Sequence, residues 1–229
     1  MTRTFFVAAL ALLAAGCGRP APEDMTAHFA KTGGQPFAVE AAANGDARVT
    51  VGDETWLQIG GVDYVVMKDA RGSFVAREDD LIALLTEAPE TPRPQPDYAT
   101  SEGGEESVAG LKGRVWKIHP KDTPSLVTVD AVVSGDPALA GVGKGLAAYT
   151  RTLIVRNSRA MGAPGNLEKA MIALLDKGAV LRFGTVMRIE RIDKAPLKGM
   201  IALPSAALDK EALRARLASP DPVTGAAML

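Results

Sequence analysis

The sequence has 229 residues, of which 47% are hydrophobic and 23% are charged, and its formal net charge is −1. These proportions are typical of a globular protein and exclude a wholly disordered chain or a collagen-like fibre. The net charge is too small to attract phosphate backbones, and the 5% aromatic content is too low for a base-stacking surface. We therefore expect no nucleic-acid partner. One cysteine and two histidines are too few for a disulfide framework or a common zinc site, and we expect neither a metal nor another cofactor.

The first residues have the pattern of an export signal. Arg3 precedes the apolar run Phe5–Ala15, which is too short to cross about 30 Å of hydrocarbon as a helix, so residues 1–16 are predicted to be a signal peptide. The run leads into Leu-Ala-Ala-Gly-Cys, which resembles the lipobox of bacterial lipoproteins, with Ala14 where leucine is more common. The resemblance implies cleavage before Cys17 and lipidation of this residue. The alternative is an ordinary secretory signal with an incidental cysteine.

The residues after the cysteine predict a location and a tether. In lipoproteins of the enterobacterial type, an aspartate at the next position retains the protein at the inner membrane, whereas this chain has Gly18. The resemblance therefore implies an outer-membrane lipoprotein that faces the periplasm. Residues 17–24, which include Pro20 and Pro22, are predicted to be a lipidated tether between the bilayer and the folded body.

A single α+β domain is predicted over residues 25–218. Between Phe37 and Arg77, short alternating runs are separated by turn pairs such as Asn44-Gly45 and Gly60-Gly61, a pattern typical of an antiparallel meander. A short helix through Leu85 follows, with a cap expected at Asp79 or Asp80. Residues 86–107 carry four prolines and six acidic residues, and we predict a disordered loop there, with an interdomain linker as the alternative. Residues 219–229 are predicted to be a flexible tail.

The second half of the chain is predicted to alternate strands and helices. The patterns indicate strands at Leu111–Ile118 and Leu126–Ser134, a helix at 136–156, a helix at 166–177 capped by Asn166, one long strand at Val180–Ile192, a short strand at 200–203 and a helix at 208–217. The 136–156 helix contains three glycines at 141, 143 and 145. Because glycine weakens a helix, either the predicted helix is partly wrong or a strand or a ligand approaches its backbone closely.

This order of elements resembles the superfamily of periplasmic lipoprotein carriers of the LolA and LolB type, over residues 37–203. The resemblance implies a curved antiparallel sheet, a half-open barrel, with helices packed on its concave face. A flat sheet with helices on one side is the alternative. The resemblance rests on element order and carries over no functional residue.

We therefore expect a non-enzymatic lipoprotein that binds an apolar group, such as an acyl chain, in the hollow of the sheet. No nucleophile, metalloprotease or phosphate-loop motif occurs in the sequence. The apolar stripe of the 136–156 helix is the candidate lining of the hollow, and it consists of Leu139, Val142, Leu146 and Tyr149. These residues are ordinary core in the alternative interpretation. For the function, the alternatives are a scaffold with a packed interior whose acidic loop docks an envelope protein and, third, an unrecognised hydrolase.

Overall fold

A large β-sheet with four α-helices forms the described part of the chain, which in this computed structural model comprises residues 23–87, 96–160 and 165–219. The strands are β1 (Met25–Lys31), β2 (Phe37–Ala41), β3 (Ala47–Val51), β4 (Glu54–Ile59), β5 (Val62–Asp69), β6 (Gly72–Arg77), β7 (Tyr98–Val108), β8 (Leu111–Pro120), β9 (Val129–Ser134), β10 (Ala179–Phe183), β11 (Met187–Asp193) and β12 (Ala207–Leu208). The helices are α1 (Glu78–Thr86), α2 (Ala140–Ala160), α3 (Asn166–Leu175) and α4 (Lys210–Ala218), and a 3-10 turn at Pro137–Leu139 leads into α2. The predicted α+β class is confirmed.

All twelve strands belong to one open sheet with the order β12-β6-β5-β4-β3-β2-β1-β11-β10-β9-β8-β7. The first six strands form a continuous antiparallel meander, as predicted for the segment from β2 to β6. β1 then pairs with β11 and so joins the meander to the strands of the second half. All neighbours are antiparallel except β12, which runs parallel to β6.

One face of the meander is buried because apolar side chains alternate along each strand. Phe29 of β1, Val39 of β2 and Val49 of β3 have no exposed surface, and their neighbours in sequence are at least partly exposed. α2 packs across this face against β1 to β4 and against β10. The strand β1 was not predicted, although Met25, Ala27 and Phe29 alternate in the same way.

The three glycines of α2 are explained by contact with strands. A Cβ at Gly145 would lie 2.7 Å from Ala47 Cβ, and one at Gly141 would lie 3.0 Å from Ala41 Cβ. On the other side of the helix, a Cβ at Gly143 would lie 3.1 Å from the backbone of Ala179. The predicted close approach to a strand is confirmed, since α2 is wedged between β2 and β3 on one side and β10 on the other.

The predicted loop at 86–107 is wrong over its second part, where Tyr98–Val108 forms β7. This strand pairs with β8 through a tight turn at Ala109 and Gly110, both with positive φ. The segment was predicted to be a loop because of its polar composition. Most of its side chains are exposed, and β8 supplies the backbone hydrogen bonds that make it a strand. Residues 88–95 lie outside the described residues.

Four further elements differ from the predictions. The long strand at Val180–Ile192 is two strands, β10 and β11, because Gly184 takes a positive φ of 52° and turns the chain. No strand lies at 200–203, and a two-residue strand, β12, occurs instead at Ala207–Leu208. Helix α1 begins at Glu78 with Arg77 as its N-cap, and Asn166 is the first residue of α3 rather than its cap.

Candidate functional site

The four residues predicted to line a hollow are packed inside the protein. Leu139, Val142, Leu146 and Tyr149 are between 1% and 4% exposed and belong to the main hydrophobic cluster. The ring of Tyr149 lies 4.8 Å from that of Trp56 and 5.3 Å from that of Phe37. Its hydroxyl accepts a hydrogen bond from Lys31 Nζ at 3.0 Å. These contacts are what a core stripe makes, and a ligand-binding role for the four residues stays a prediction.

A cavity with apolar walls lies elsewhere, between α1, α2, α4 and the sheet. We call it the α1–α4 cavity; it has a volume of about 380 Å³ and is lined by Met67, Leu81, Leu85, Leu217, Glu54, Arg156 and Arg159. The four apolar residues come from β5, α1 and α4, whereas the three charged residues come from the start of β4 and the last turns of α2. The lining is therefore part apolar and part charged.

Helix α4 contributes Leu217 to the cavity wall and is held in place by ion pairs. Arg216 donates to Asp69 through Nε at 2.7 Å and through Nη2 at 2.6 Å, and its guanidinium lies 4.9 Å from the centre of the Phe74 ring. The Arg216 hydrogen bonds lower the pKa of Asp69 to about 2. At the other end of the helix, Arg214 and Lys210 both pair with Glu87, which follows α1. The wall of the cavity is thus fastened to the sheet and to α1 by polar contacts.

The charged residues of the lining include an ion pair between α2 and β4. Arg156 Nη1 donates to both carboxylate oxygens of Glu54, at 2.8 and 2.9 Å, and both side chains are 29% exposed. Arg159 lines the same cavity one turn further along α2. The lining therefore combines the Arg156–Glu54 ion pair and Arg159 with four apolar side chains.

A buried carboxylate anchors the beginning of α1 on α2. Glu78 is fully buried; its Oε1 accepts from Thr152 Oγ1 at 2.6 Å and its Oε2 accepts from Arg151 at 2.9 Å. Arg151 also donates to Asp63 at 3.2 Å. Burial raises the pKa of Glu78 to about 7, against the opposing effects of Thr152 and Arg151, and burial likewise raises the pKa of Asp63. Glu78 therefore changes its protonation near neutral pH.

Arg151 and Asp63 also border a second cavity of about 480 Å³. Small residues of α2, namely Ala140, Gly143 and Ala147, form part of its lining. Its charged lining is evenly divided between Asp63, Asp136 and Asp176 on one hand and Lys144, Arg151 and Lys177 on the other. This balance selects no class of ligand, and the α1–α4 cavity is the better candidate for binding.

Sequence reasoning missed the charged residues of both sites. Arg156 and Arg159 lie on the polar side of α2, whereas the apolar stripe of this helix had been predicted to be the functional surface. Residues three apart on a helix share one face, and this spacing could have placed the two arginines together. Glu78 offered no signal, because it is burial that gives this glutamate its properties. Cys17, the candidate lipidation site, lies outside the described residues.

Comparison with known proteins gives no relative: no protein-family model, no curated protein and no solved structure matches the chain. In the described part of the chain, no helix is both long enough and apolar enough to cross a bilayer. The same residues contain no group of three or more histidine, cysteine, aspartate and glutamate side chains placed to hold a metal ion.

Proposed function

We propose that the protein is an outer-membrane lipoprotein, anchored through a lipid on Cys17, that binds an acyl chain in the α1–α4 cavity. The single observation that carries the binding proposal is the cavity itself. It has the volume of a small ligand site, and Met67, Leu81, Leu85 and Leu217 line it together. When an acyl chain enters the cavity, apolar surface of the acyl chain and of the cavity lining is removed from water. This burial is favourable by about 25 cal/mol per Å².

The arrangement of sheet and helices supports the same proposal. In the carriers that the chain resembles by element order, a curved antiparallel sheet partly surrounds helices. Here α2 packs on five strands of a long open sheet, and α1 and α4 pack on each other and on the strands beyond. A concave sheet leaves space between its face and the helices packed on it, and an acyl chain can enter such a space.

Lipid analysis of the full-length protein tests this function. The protein is extracted from membranes in a mild detergent, and its intact mass and its copurifying lipids are measured by mass spectrometry. We expect a lipid-modified Cys17 and a bound lipid that is lost in Leu85→Trp, which fills the cavity. Leu126→Trp, at a residue that is 59% exposed, is the matched control and should retain the lipid. A wild-type protein that carries no lipid after gentle extraction contradicts the binding proposal.

A second candidate function is a scaffold lipoprotein that binds an envelope protein and no lipid. It is favoured by one observation, the dense packing of Leu146 and Tyr149 at the centre of the sheet face. In this case the α1–α4 cavity is a packing defect, and Leu85→Trp should stabilise the fold without changing any bound molecule. The lipid measurement therefore separates the two candidates.

A further inference from the structure

We infer that the end of the sheet at which β1 begins rests on the phospholipid bilayer and that Met200 inserts into the bilayer surface, an inference that rests on the proposed lipid anchor at Cys17. We call this end of the sheet the tether end. Met200 is 85% exposed, the highest value among the large apolar side chains of the described residues. Most of its surface is therefore available for contact with another molecule.

The loop at 194–200, which follows β11 and ends at the exposed methionine, is fastened to the start of the folded body. Leu197 N donates to Asp24 Oδ2 at 3.1 Å, and Lys194 pairs with Glu23. Asp24 directly precedes β1, and β11 runs antiparallel to β1. The loop therefore lies at the tether end, beside the point at which the tether joins the body.

The length of the tether favours this end as the one that faces the bilayer. Cys17 precedes Asp24 by seven residues, and such a segment spans at most about 25 Å. The seven residues of β1 rise by about 23 Å along the sheet. If the opposite end of the sheet rested on the bilayer, Asp24 would lie about that far from the surface, and the tether would have to be almost fully extended. With the tether end on the bilayer, no such extension is needed.

The composition of the loop is suited to a lipid surface. Residues 194–200 read Lys-Ala-Pro-Leu-Lys-Gly-Met and contain no acidic residue. Lys194, Pro196, Lys198 and Met200 are all exposed. A lysine at a bilayer surface can keep its ammonium group among the headgroups while its stem lies against apolar chains. An apolar side chain next to it can then reach the boundary between headgroups and acyl chains.

The acidic side chains beside the loop have partners within the protein. Glu23 pairs with Lys194, and Asp24 accepts from the backbone amides of Ala43 and Leu197. Asp46, which lines a small cavity together with Met200, accepts from the backbone amide of Gly60 at 2.9 Å. These hydrogen bonds reduce the repulsion between the carboxylates and the phosphate groups of lipids.

Fluorescence quenching in nanodiscs tests the inference with the full-length lipidated protein. Cys17 is the only cysteine of the sequence, so the lipidated protein offers no thiol until one is introduced. Met200→Cys and Val186→Cys are labelled with the fluorophore NBD in phosphatidylcholine nanodiscs, with or without a doxyl quencher near the headgroup end of the acyl chains. Val186 is the matched control, because it is 51% exposed and its carbonyl accepts from Thr32 N at the opposite end of the sheet.

We expect the doxyl lipid to quench the probe at position 200 at least about threefold more strongly than the probe at position 186. A second measurement places the probe at Lys198→Cys. Adding Met200→Glu should reduce the quenching there severalfold, because a carboxylate opposes insertion, whereas adding Val186→Glu should leave it unchanged.

The outcomes separate the orientation of the body from the anchor, since the intact mass first shows whether Cys17 carries lipid. If Cys17 is lipidated and neither probe is quenched, the proposed orientation is wrong and the anchor stands. Stronger quenching at position 186 also overturns the inference. A blue-shifted emission at position 200 without quenching does so too, because it would mean that protein rather than lipid covers the loop. An unmodified Cys17 overturns both the anchor and the inference.

Discussion

Gly145 of α2 and Ala47 of β3 lie so close together that a Cβ on the glycine would be 2.7 Å from the Cβ of the alanine. A Cβ there would also lie 3.1 Å from Val39 Cγ1. Real Cβ atoms do not approach this closely, so the helix can rest on the sheet at this distance only with glycine at position 145. The contact sets the depth at which α2 packs.

Gly145→Ala should therefore destabilise the protein, although alanine is the better helix former by about 1 kcal/mol. Overpacking a close-packed contact costs about 1 to 3 kcal/mol, and we expect it to outweigh the gain in helix propensity. Urea denaturation measures the difference. Gly104→Ala in β7 is the control, because a Cβ there meets no atom within 4 Å. A Gly145→Ala variant more stable than the wild type would show that the helix is free to move outwards.

Glu78 should make the protein less stable as the pH rises towards neutrality. Its pKa is about 7 in the folded protein, above the ordinary value of 4.5, so between these values the folded state binds more protons than the unfolded state. The contribution of Glu78 to the free energy of unfolding is thus greatest below about pH 4.5 and is lost as the pH passes 7, by on the order of 1 to 3 kcal/mol. Asp63, which shares Arg151, shifts in the same direction.

Denaturation curves of the wild type and Glu78→Gln, collected from about pH 4.5 to 8, test this prediction. The difference in unfolding free energy between the two proteins should change with pH in this range, in favour of the variant at higher pH. Glu105→Gln is the control, since the side chain of Glu105 is 67% exposed. Parallel pH profiles for the wild type and Glu78→Gln would mean that Glu78 ionises normally.

Asp69→Asn should loosen α4. The variant loses the charge on an almost completely buried partner of Arg216, and we expect a loss of about 1 to 3 kcal/mol in unfolding free energy. In the wild type, the lowered pKa of Asp69 means that its contribution is present above about pH 4 and is lost as the pH falls through 2. Hydrogen exchange of the α4 amides gives the direct measurement. Glu102→Gln, which removes an exposed partner of Arg114, should leave α4 exchange unchanged.

Leu146→Ala distinguishes a packed core from a ligand-lined hollow. Leu146 is 1% exposed and belongs to the main cluster, so its truncation should cost about 2 to 5 kcal/mol. Leu126→Ala, at an exposed position, should cost less than about 0.5 kcal/mol. Thermal or urea denaturation of the two variants provides the comparison. A small loss for Leu146→Ala, together with loss of a bound lipid, would restore the original interpretation of this stripe.

The sequence predicted those parts of the fold that local patterns determine. The turns at Asn44-Gly45 and Gly60-Gly61 marked the meander, and the spacing of Leu139, Val142 and Leu146 marked α2. Two errors concerned hairpins of adjacent strands. β7 has few apolar residues, and its pairing with β8 is what keeps it in the sheet. The hairpin of β10 and β11 was missed because alternation continues across Gly184.

The cavity proposed to bind an acyl chain was less predictable than the fold. Its apolar lining comes from three segments that are far apart in sequence, at Met67, Leu81 and Leu217. The periodicity of apolar residues marks the stripe of α2 that packs on the sheet, whereas the charged residues Arg156 and Arg159 lie outside this stripe. A pattern within one helix shows which face is buried, but it does not show where two other helices leave space.

The open sheet has two edges in the described part of the chain, and they differ in length. β12 presents two residues, which is too little to guide the pairing of another strand, whereas β7 presents eleven. Glu102 and Glu105 on β7 are 47% and 67% exposed, and both lie near Arg114 of β8; charged side chains of this kind oppose the addition of a second strand at an edge. The longer edge is therefore the one at which another strand could pair, and its own charged side chains are placed to oppose that pairing.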